Sequence, residues 1–239
     1  MKIHIPYRRV ILKLSGESLL NTGQVCGIGA DSCQSIAMGI KDLVDHGLQV
    51  GIVIGAGNLF RGSEGASLGI GKVSADHMGM LATVINAIAL QQTLEHISIA
   101  AEVMSSIPCT PIVQQYHWKK AMAFLENNTV CIFAGGTGNP YFTTDTSAAL
   151  RACECQAEIL MKATKVDGIY SKDPKKHVDA VRFEKLRHSE VLAQKLDVMD
   201  ATCVALCMSS QIPILVFDMR ATPKFSEVLV NHALGTIVY

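Results

Sequence analysis

Apolar, β-branched runs alternate along this chain with stretches whose apolar positions recur every three or four residues. These are the patterns of strands and of amphipathic helices. "RRVILKLSG" predicts a first strand and "LQVGIVIGAG" a second, each running into glycine. Between them, "GADSCQSIAMGIKDLVDHG" predicts a helix. Asp31 is its candidate N-cap, Ile36, Ile40, Leu43 and Val44 are its apolar stripe, and Gly47 is its stop. "ADHMGMLATVINAIALQQTLEH" predicts a long helix with a thin polar face, expected in the core or at a subunit interface. "ISIAAEVMS", a short segment after Pro108 and Pro111, "TVCIFAGG", "AEILMKAT", "IPILVFDM" and "GTIVY" predict further strands. "HWKKAMAFLENN" and the segments around Val191 and from Ala201 to Met208 predict helices.

Strands that are apolar on both faces and separated by helices predict a covered, largely parallel sheet, here within one α/β domain spanning residues 1–239. Such sheets bind ligands at the carboxyl ends of their strands. Those ends read "KLSGES", "IGAGNLFRG", "AGGTGNPYFTTD" and "KATKVDGIYSKDP", all rich in Gly, Ser/Thr, Lys/Arg or Asp.

Composition narrows the chemistry. Hydrophobic residues are 49% and charged residues 18%, so the chain is globular. Lys+Arg and Asp+Glu are both 21, and aromatics are only 5%, which argues against a nucleic-acid surface. Any phosphate chemistry must come from a local cluster of positive groups. No apolar run is expected to reach membrane-spanning length, and "MKIHIPYRRVILKLSGE" is expected to be a strand and not a signal peptide. Eight cysteines without metal-ligand spacing suggest free, mostly buried thiols and a reducing cytoplasm. The eight histidines show no ligand or catalytic spacing.

The common phosphate fingerprints fail. Gly71-Lys72 is followed by Val73, and Ala66 stands where a P-loop needs its first glycine. Gly55-Ala56-Gly57 lacks the third glycine of a dinucleotide fingerprint, because position 60 is Phe. Local readings remain. Lys13, inside an apolar strand, either snorkels at the strand end or holds an anion beside Ser15 and Gly16. "GAGNLFRG", Gly55 to Gly62, is an ordinary turn or an anion loop with Arg61 as a fork; the glycines and the arginine favour the anion. Asp76 reads first as an N-cap and second as a partner for ligand hydroxyls. "TKVDGIYSKDP" is a good turn sequence, or a nucleotide edge with Tyr170 stacking and Asp173 accepting. Asp200 reads as an N-cap.

Taken together and in this order, "KLSGES", "IGAGNLFRG", "DHMGMLATVINA", "GTGNPYFTTD", "KATKVDGIYSKDP" and "DVMD" resemble the bacterial-type uridylate (UMP) kinase family of the amino-acid kinase superfamily, from about Arg9 to the C-terminus. The resemblance implies a three-layer αβα sandwich with a UMP-side half at about 1–150 and an ATP-side half at about 151–239. It implies transfer of the γ-phosphate of ATP to UMP. Lys13, Leu14, Ser15, Gly16, Gly57, Arg61, Thr164, Tyr170 and Asp173 would contact ATP. Ala56, Asp76 and the run Thr137, Gly138, Asn139, Pro140, Tyr141, Phe142, Thr143 and Thr144 would contact UMP. Lys13, Arg61, Asp145 and Asp200 would be catalytic, the two aspartates orienting the lysine and the metal–phosphate array. Mg2+ would ride on the nucleotide phosphates with no direct protein ligand. A homohexamer, GTP activation and UTP inhibition are also implied, with neither nucleic acid nor membrane as partner.

The chain departs from the family's pattern at two points. Ala56 replaces the middle glycine of the second loop, which costs on the order of 1 kcal/mol if that position needs positive φ. The loop "NTGQVCGIGAD" is one residue longer than the family's and carries Cys26-Gly27-Ile28-Gly29. Two rivals share the superfamily: a kinase acting on a carboxylate or carbamate, and a non-enzymatic store of metal oxyanions.

Overall fold

The computed structural model describes residues 4–61, 65, 68–174, 176–196 and 198–239. Gly62 and Ala66, named above, and Asp197, the first residue of "DVMD", lie outside them.

Among the described residues one sheet runs through the molecule. Its strands are β1 (Arg9–Leu14), β2 (Gln49–Ile54), β3 (Ala101–Ser105), β4 (Gln114–Gln115), β5 (Val130–Ala134), β6 (Ile159–Thr164), β9 (Lys185–Leu186), β10 (Ile214–Asp218) and β11 (Gly235–Val238). They lie in the order β4-β3-β5-β2-β1-β6-β10-β11-β9. Every neighbouring pair is parallel except β10 with β11. A small antiparallel ribbon joins β7 (Ile169–Tyr170) to β8 (Arg182–Phe183). The first strand is central, which is why "RVILKL" is buried at all six positions.

Side chains alternate across a strand, so β1 feeds two apolar layers. Val10, Leu12 and Leu14 pack on one face with α1 (Ala30–Asp45), α2 (Lys72–His96) and α7 (Phe225–Val230). Ile11 packs on the other with α3 (Trp118–Glu126), α4 (Thr144–Glu154) and α6 (Ala201–Ser209). The short α5 (His188–Ala193) adds Val191 to that second layer. The result is a three-layer αβα sandwich. The alternation puts Lys13 on the same face as Ile11, under α4.

Two cap assignments need correction. The N-cap of α1 is Gly29, and Asp31 sits in its first turn. Asn21 does the capping from a distance: its Oδ1 accepts from Ser32 N at 3.0 Å, and its Nδ2 donates to Asp31. Helix α2 starts at Lys72, a turn earlier than Asp76, so Asp76 is not a cap; it forms an i,i+4 ion pair with Lys72.

Contrary to the expectation from the sequence, α2 is long and apolar enough to cross a membrane by length and composition alone. It acts here as a core helix. Val84, Ala87, Leu90 and Leu94 are buried in the first layer, while Met78, Leu81 and Ile85 remain exposed on its outer side.

Candidate active site

The carboxyl ends of β1, β2, β5 and β6 converge on one ion cluster. Lys13 and Lys162 are register partners on β1 and β6, so their side chains leave the sheet together on the same face. Asp145, in the first turn of α4, comes down between them. Lys13 Nζ lies 2.6 Å from Oδ1 and Lys162 Nζ 2.9 Å from Oδ2. Lys162 also donates to Val198 O. Burial would raise the Asp145 pKa, but the two ammonium groups outweigh it and hold the carboxyl below its ordinary value. Burial pushes the Lys162 pKa down, as does the neighbouring Lys13, and Asp145 only partly offsets them.

Why Asp145 points there follows from the start of α4. Thr143 is the N-cap, and its Oγ1 accepts from Asp145 N and Thr146 N. Thr143 donates in turn to Asp200, and the Thr146 hydroxyl donates to the same carboxylate at 2.8 Å. Asp200 is also the N-cap of α6, accepting from Cys203 N. One carboxylate thus ties two helix starts together beside the cluster. The cap expected for Asp200 is present, and so is a connection to Asp145 through Thr143.

The loops after β1 and β2 touch. A Cβ on Gly16 would lie 2.5 Å from Gly57 N and 2.5 Å from Asn58 Oδ1, so only glycine allows this approach. The second loop needs no left-handed residue: none of Gly55, Ala56 and Gly57 has positive φ, so Ala56 carries no backbone strain. The side chain of Leu14 is in the core, and its carbonyl accepts from Gly55 N. Ser15 precedes the 3-10 turn Gly16–Leu19. Glu17, in that turn, pairs with Arg61 and lies 3.4 Å from Lys165 Nζ. Arg61 therefore stands at the rim of the same crevice, on a carboxylate that the sequence had not singled out.

Two cavities open beside the cluster. One, of about 600 Å³, is lined by Lys162, Thr164, Tyr170, Asp173, Leu196 and Val198 among others. Thr164 forms a tight hydroxyl turn with Val166, the Tyr170 hydroxyl donates to Asp167, and Asp173 lies 3.5 Å from Lys176 Nζ. The other, of about 170 Å³, is lined by Ala56, Phe60, Asp76, Met80, Thr83, Gly136, Phe142, Thr143 and Thr144 among others.

The second cavity brings together five of the residues expected around UMP: Ala56, Asp76, Phe142, Thr143 and Thr144. Thr137, Gly138, Asn139, Pro140 and Tyr141 do not line it; they form the loop outside it. That loop coils tightly, with positive φ at Gly135, Gly136, Gly138 and, unusually for an aromatic, Tyr141. It is suspended from below. Gly135 N donates to Thr83 Oγ1, and Ser106 Oγ, itself held by the buried Arg151, donates to Gly136 O. The Asp76 carboxylate accepts from Tyr141 N at 2.8 Å.

Sequence reasoning missed Lys162, Thr83 and Glu17. Lys162 carried the same signal as Lys13, a lysine inside an apolar strand. Nothing local marks Thr83, which reaches the loop across 52 residues of sequence.

Comparison with known proteins agrees with this architecture. The sequence matches the profile of the amino acid kinase family over residues 8–218. It is 51% identical to a uridylate kinase of Protochlamydia amoebophila over 97% of this chain and 92% of that one. It is 49% identical to a uridylate kinase of Legionella pneumophila over 98% of this chain and 95% of that one. Among solved structures, UMP kinase from Bacillus anthracis superposes with a TM-score of 0.94 at 34% identity, covering 98% of this chain and 96% of the other. UMP kinase from Ureaplasma parvum superposes with a TM-score of 0.90 at 36% identity, covering 97% and 98%. Fold, sequence and the order of its loops agree: the chain belongs to the amino acid kinase family and, within it, to the uridylate kinases.

Proposed function

We propose that this protein transfers the γ-phosphoryl group of ATP to UMP, giving ADP and UDP, with the larger cavity taking the donor and the smaller one the acceptor. The observation that carries the assignment of halves is the Lys13–Asp145–Lys162 cluster. Lys162 lines the larger cavity, and Asp145 is next in sequence to Thr144, which lines the smaller one. The names of the relatives supply the substrates.

The acceptor is a phosphate oxygen already ionised near neutral pH, so no strong base is required. No histidine lines either cavity among the described residues. The obstacle is repulsion between two polyanions, and the remedy is positioning with fixed positive charge. On this reading Lys13, with the backbone of Leu14, Ser15, Gly16 and Gly57, holds the donor phosphates. Lys162 lies where charge builds up on the moving phosphoryl group. Asp145 aims both ammonium groups, Asp200 fixes the helix that carries Asp145, and Arg61 closes the crevice. Thr164, Tyr170 and Asp173 border the donor's base and ribose. Asp76 binds the acceptor ribose, Ala56 sits beside it, Phe142, Thr143 and Thr144 border its phosphate and base, and the loop from Thr137 to Tyr141 arches outside them.

Phosphoryl transfer from ATP calls for a divalent cation, which we take to be Mg2+. The described carboxylates do not form a protein-built site for it. Asp145 is committed to two lysines and Asp200 to threonine hydroxyls and a helix start, and the described residues contain no cluster of three ligating side chains. The ion is therefore assigned to the nucleotide phosphates.

The exposed Met78, Leu81 and Ile85 on α2 support burial against a second copy, within a homohexamer. Eight free thiols suit a cytoplasmic enzyme. Activation by GTP and inhibition by UTP belong to the same reading.

A coupled ADP-release assay with UMP, CMP, dUMP, aspartate and glutamate tests it. Turnover on UMP is expected. Turnover on aspartate or glutamate alone would make this a carboxylate kinase. Tight metal-oxyanion loading with no ADP release would make it a storage protein. Repeating the assay with GTP and UTP, and weighing the protein by light scattering, tests regulation and assembly.

A further inference from the structure

Asn58 and Asn86 have no part in the chemistry above, yet they are among the most completely buried polar side chains of the molecule, at 2% and 0% exposure. They face each other and exchange two hydrogen bonds. Asn58 Nδ2 donates to Asn86 Oδ1 at 3.0 Å, and Asn86 Nδ2 donates to Asn58 Oδ1 at 2.7 Å. Each amide has one N–H left, and each finds a backbone carbonyl: Asn86 donates to Gly55 O and Asn58 to Gly27 O, both at 2.8 Å. Gly27 N returns a bond to Asn58 O. A carbonyl can only accept, so the two backbone partners fix which way both amides point.

This junction touches four parts of the molecule. Asn86 belongs to α2, next to the exposed Ile85. Gly55 begins the loop after β2. Gly27 belongs to the long loop before α1. The fourth part is the turn after β1, because Asn58 Oδ1 lies directly under Gly16, where a Cβ would come within 2.5 Å of it. Buried amides are costly unless fully paired, and an apolar pair would fill the space with less at stake. What the amides supply is a spacing: both glycine loops of the crevice are set against one rigid helix.

We propose that Asn58 and Asn86 act as one positioning unit for phosphoryl transfer, fixing the Gly16 turn and the Gly55–Gly57 loop at a single separation on α2. This rests on the assignment of those loops to the phosphate path. Each nucleotide keeps its own contacts when the unit is lost, but the reacting groups no longer line up. The loss should therefore fall on kcat and not on KM.

The test uses Asn58→Ala, Asn86→Ala and the double variant in the full-length protein, assayed well below their melting midpoints. Each single change should lower kcat roughly tenfold while the KM for ATP and for UMP each stay within about threefold. The double variant should be little worse than the poorer single, because one missing amide already breaks the unit. If the alanine variants do not fold by circular dichroism, the paired Asn58→Leu, Asn86→Leu variant fills the space without a buried charge, removes both amides and is read by the same kcat and KM criteria. A kcat within about twofold of the parent protein, a loss confined to KM, or additive losses would overturn the proposal, whatever the melting midpoints do. Absence of UMP-dependent turnover in the parent protein would instead overturn the underlying assignment of the loops.

Discussion

Lys13 and Lys162 stand in register on adjacent parallel strands, and both ammonium groups end on the two oxygens of Asp145. Two like charges this close and this buried repel each other unless an anion lies between them. Asp145 supplies that anion in the protein alone and holds both ammonium groups in place.

Removing Lys13 should be felt on the donor side. Lys13→Ala should lower turnover on the order of a hundredfold or more, as the loss of a group aimed at developing charge does. UMP affinity, measured by equilibrium binding, should be nearly unchanged. Equal loss of both would take Lys13 out of the donor site.

The depressed pKa of Lys162 sets a direction for the pH profile. A base with a lowered pKa loses its proton at a lower pH than a free lysine does. Turnover that needs the ammonium should therefore decline on the alkaline side before the ordinary lysine range. In Lys162→Arg the guanidinium stays charged, so this limb should flatten even if the overall rate is lower. An alkaline limb that is identical in the variant would mean another group titrates there.

Asp145→Asn leaves two buried ammonium groups with no counter-charge. It should cost about 3 kcal/mol of stability at neutral pH, the scale for breaking a buried ion pair. The Asp145 pKa is depressed in the folded state, so its contribution is present above the unfolded value and is lost as pH falls through the folded one. The gap between parent and variant in denaturant titrations should narrow in acid. A gap that holds constant with pH would mean that Asp145 is not the ionised partner.

Asp76→Asn should raise the KM for UMP and largely spare kcat, since Asp76 lines the cavity proposed for the acceptor and pairs with Lys72, not with Lys13 or Lys162. An unchanged KM would remove it from the acceptor site. Two loop changes should split. Gly16→Ala forces a methyl into Gly57 N and Asn58 and should abolish activity, while Ala56→Gly relieves no backbone strain and should leave turnover within about twofold. A large gain from Ala56→Gly would mean the loop changes shape when it binds nucleotide.

The sheet was legible because its strands are covered on both faces and therefore continuously apolar, and the glycine-rich strand ends showed where the crevice lies. What could not be read was what depends on register. Lys13 announced itself as a charge in a strand, but Lys162 became its partner only once β1 was known to lie beside β6. Asp76 looked like a helix cap because the apolar pattern begins near it, whereas α2 gains another turn from Gly71 and Lys72. The role of Thr83 depends on α2 passing beneath the Gly135–Gly138 coil, which no local pattern encodes.

The pairing of β1 with β6 also bears on how the chain finds its fold. A slip of one residue by either strand would send its lysine to the opposite face, among Leu12, Met161 and the side chains of α1. An apolar strand tolerates such a slip; a strand with one lysine does not, because the misplaced charge would be stranded in hydrocarbon. The two lysines proposed for the chemistry thus also proofread the alignment of the central strands, and a molecule that folds in the wrong register is penalised before it ever meets a nucleotide.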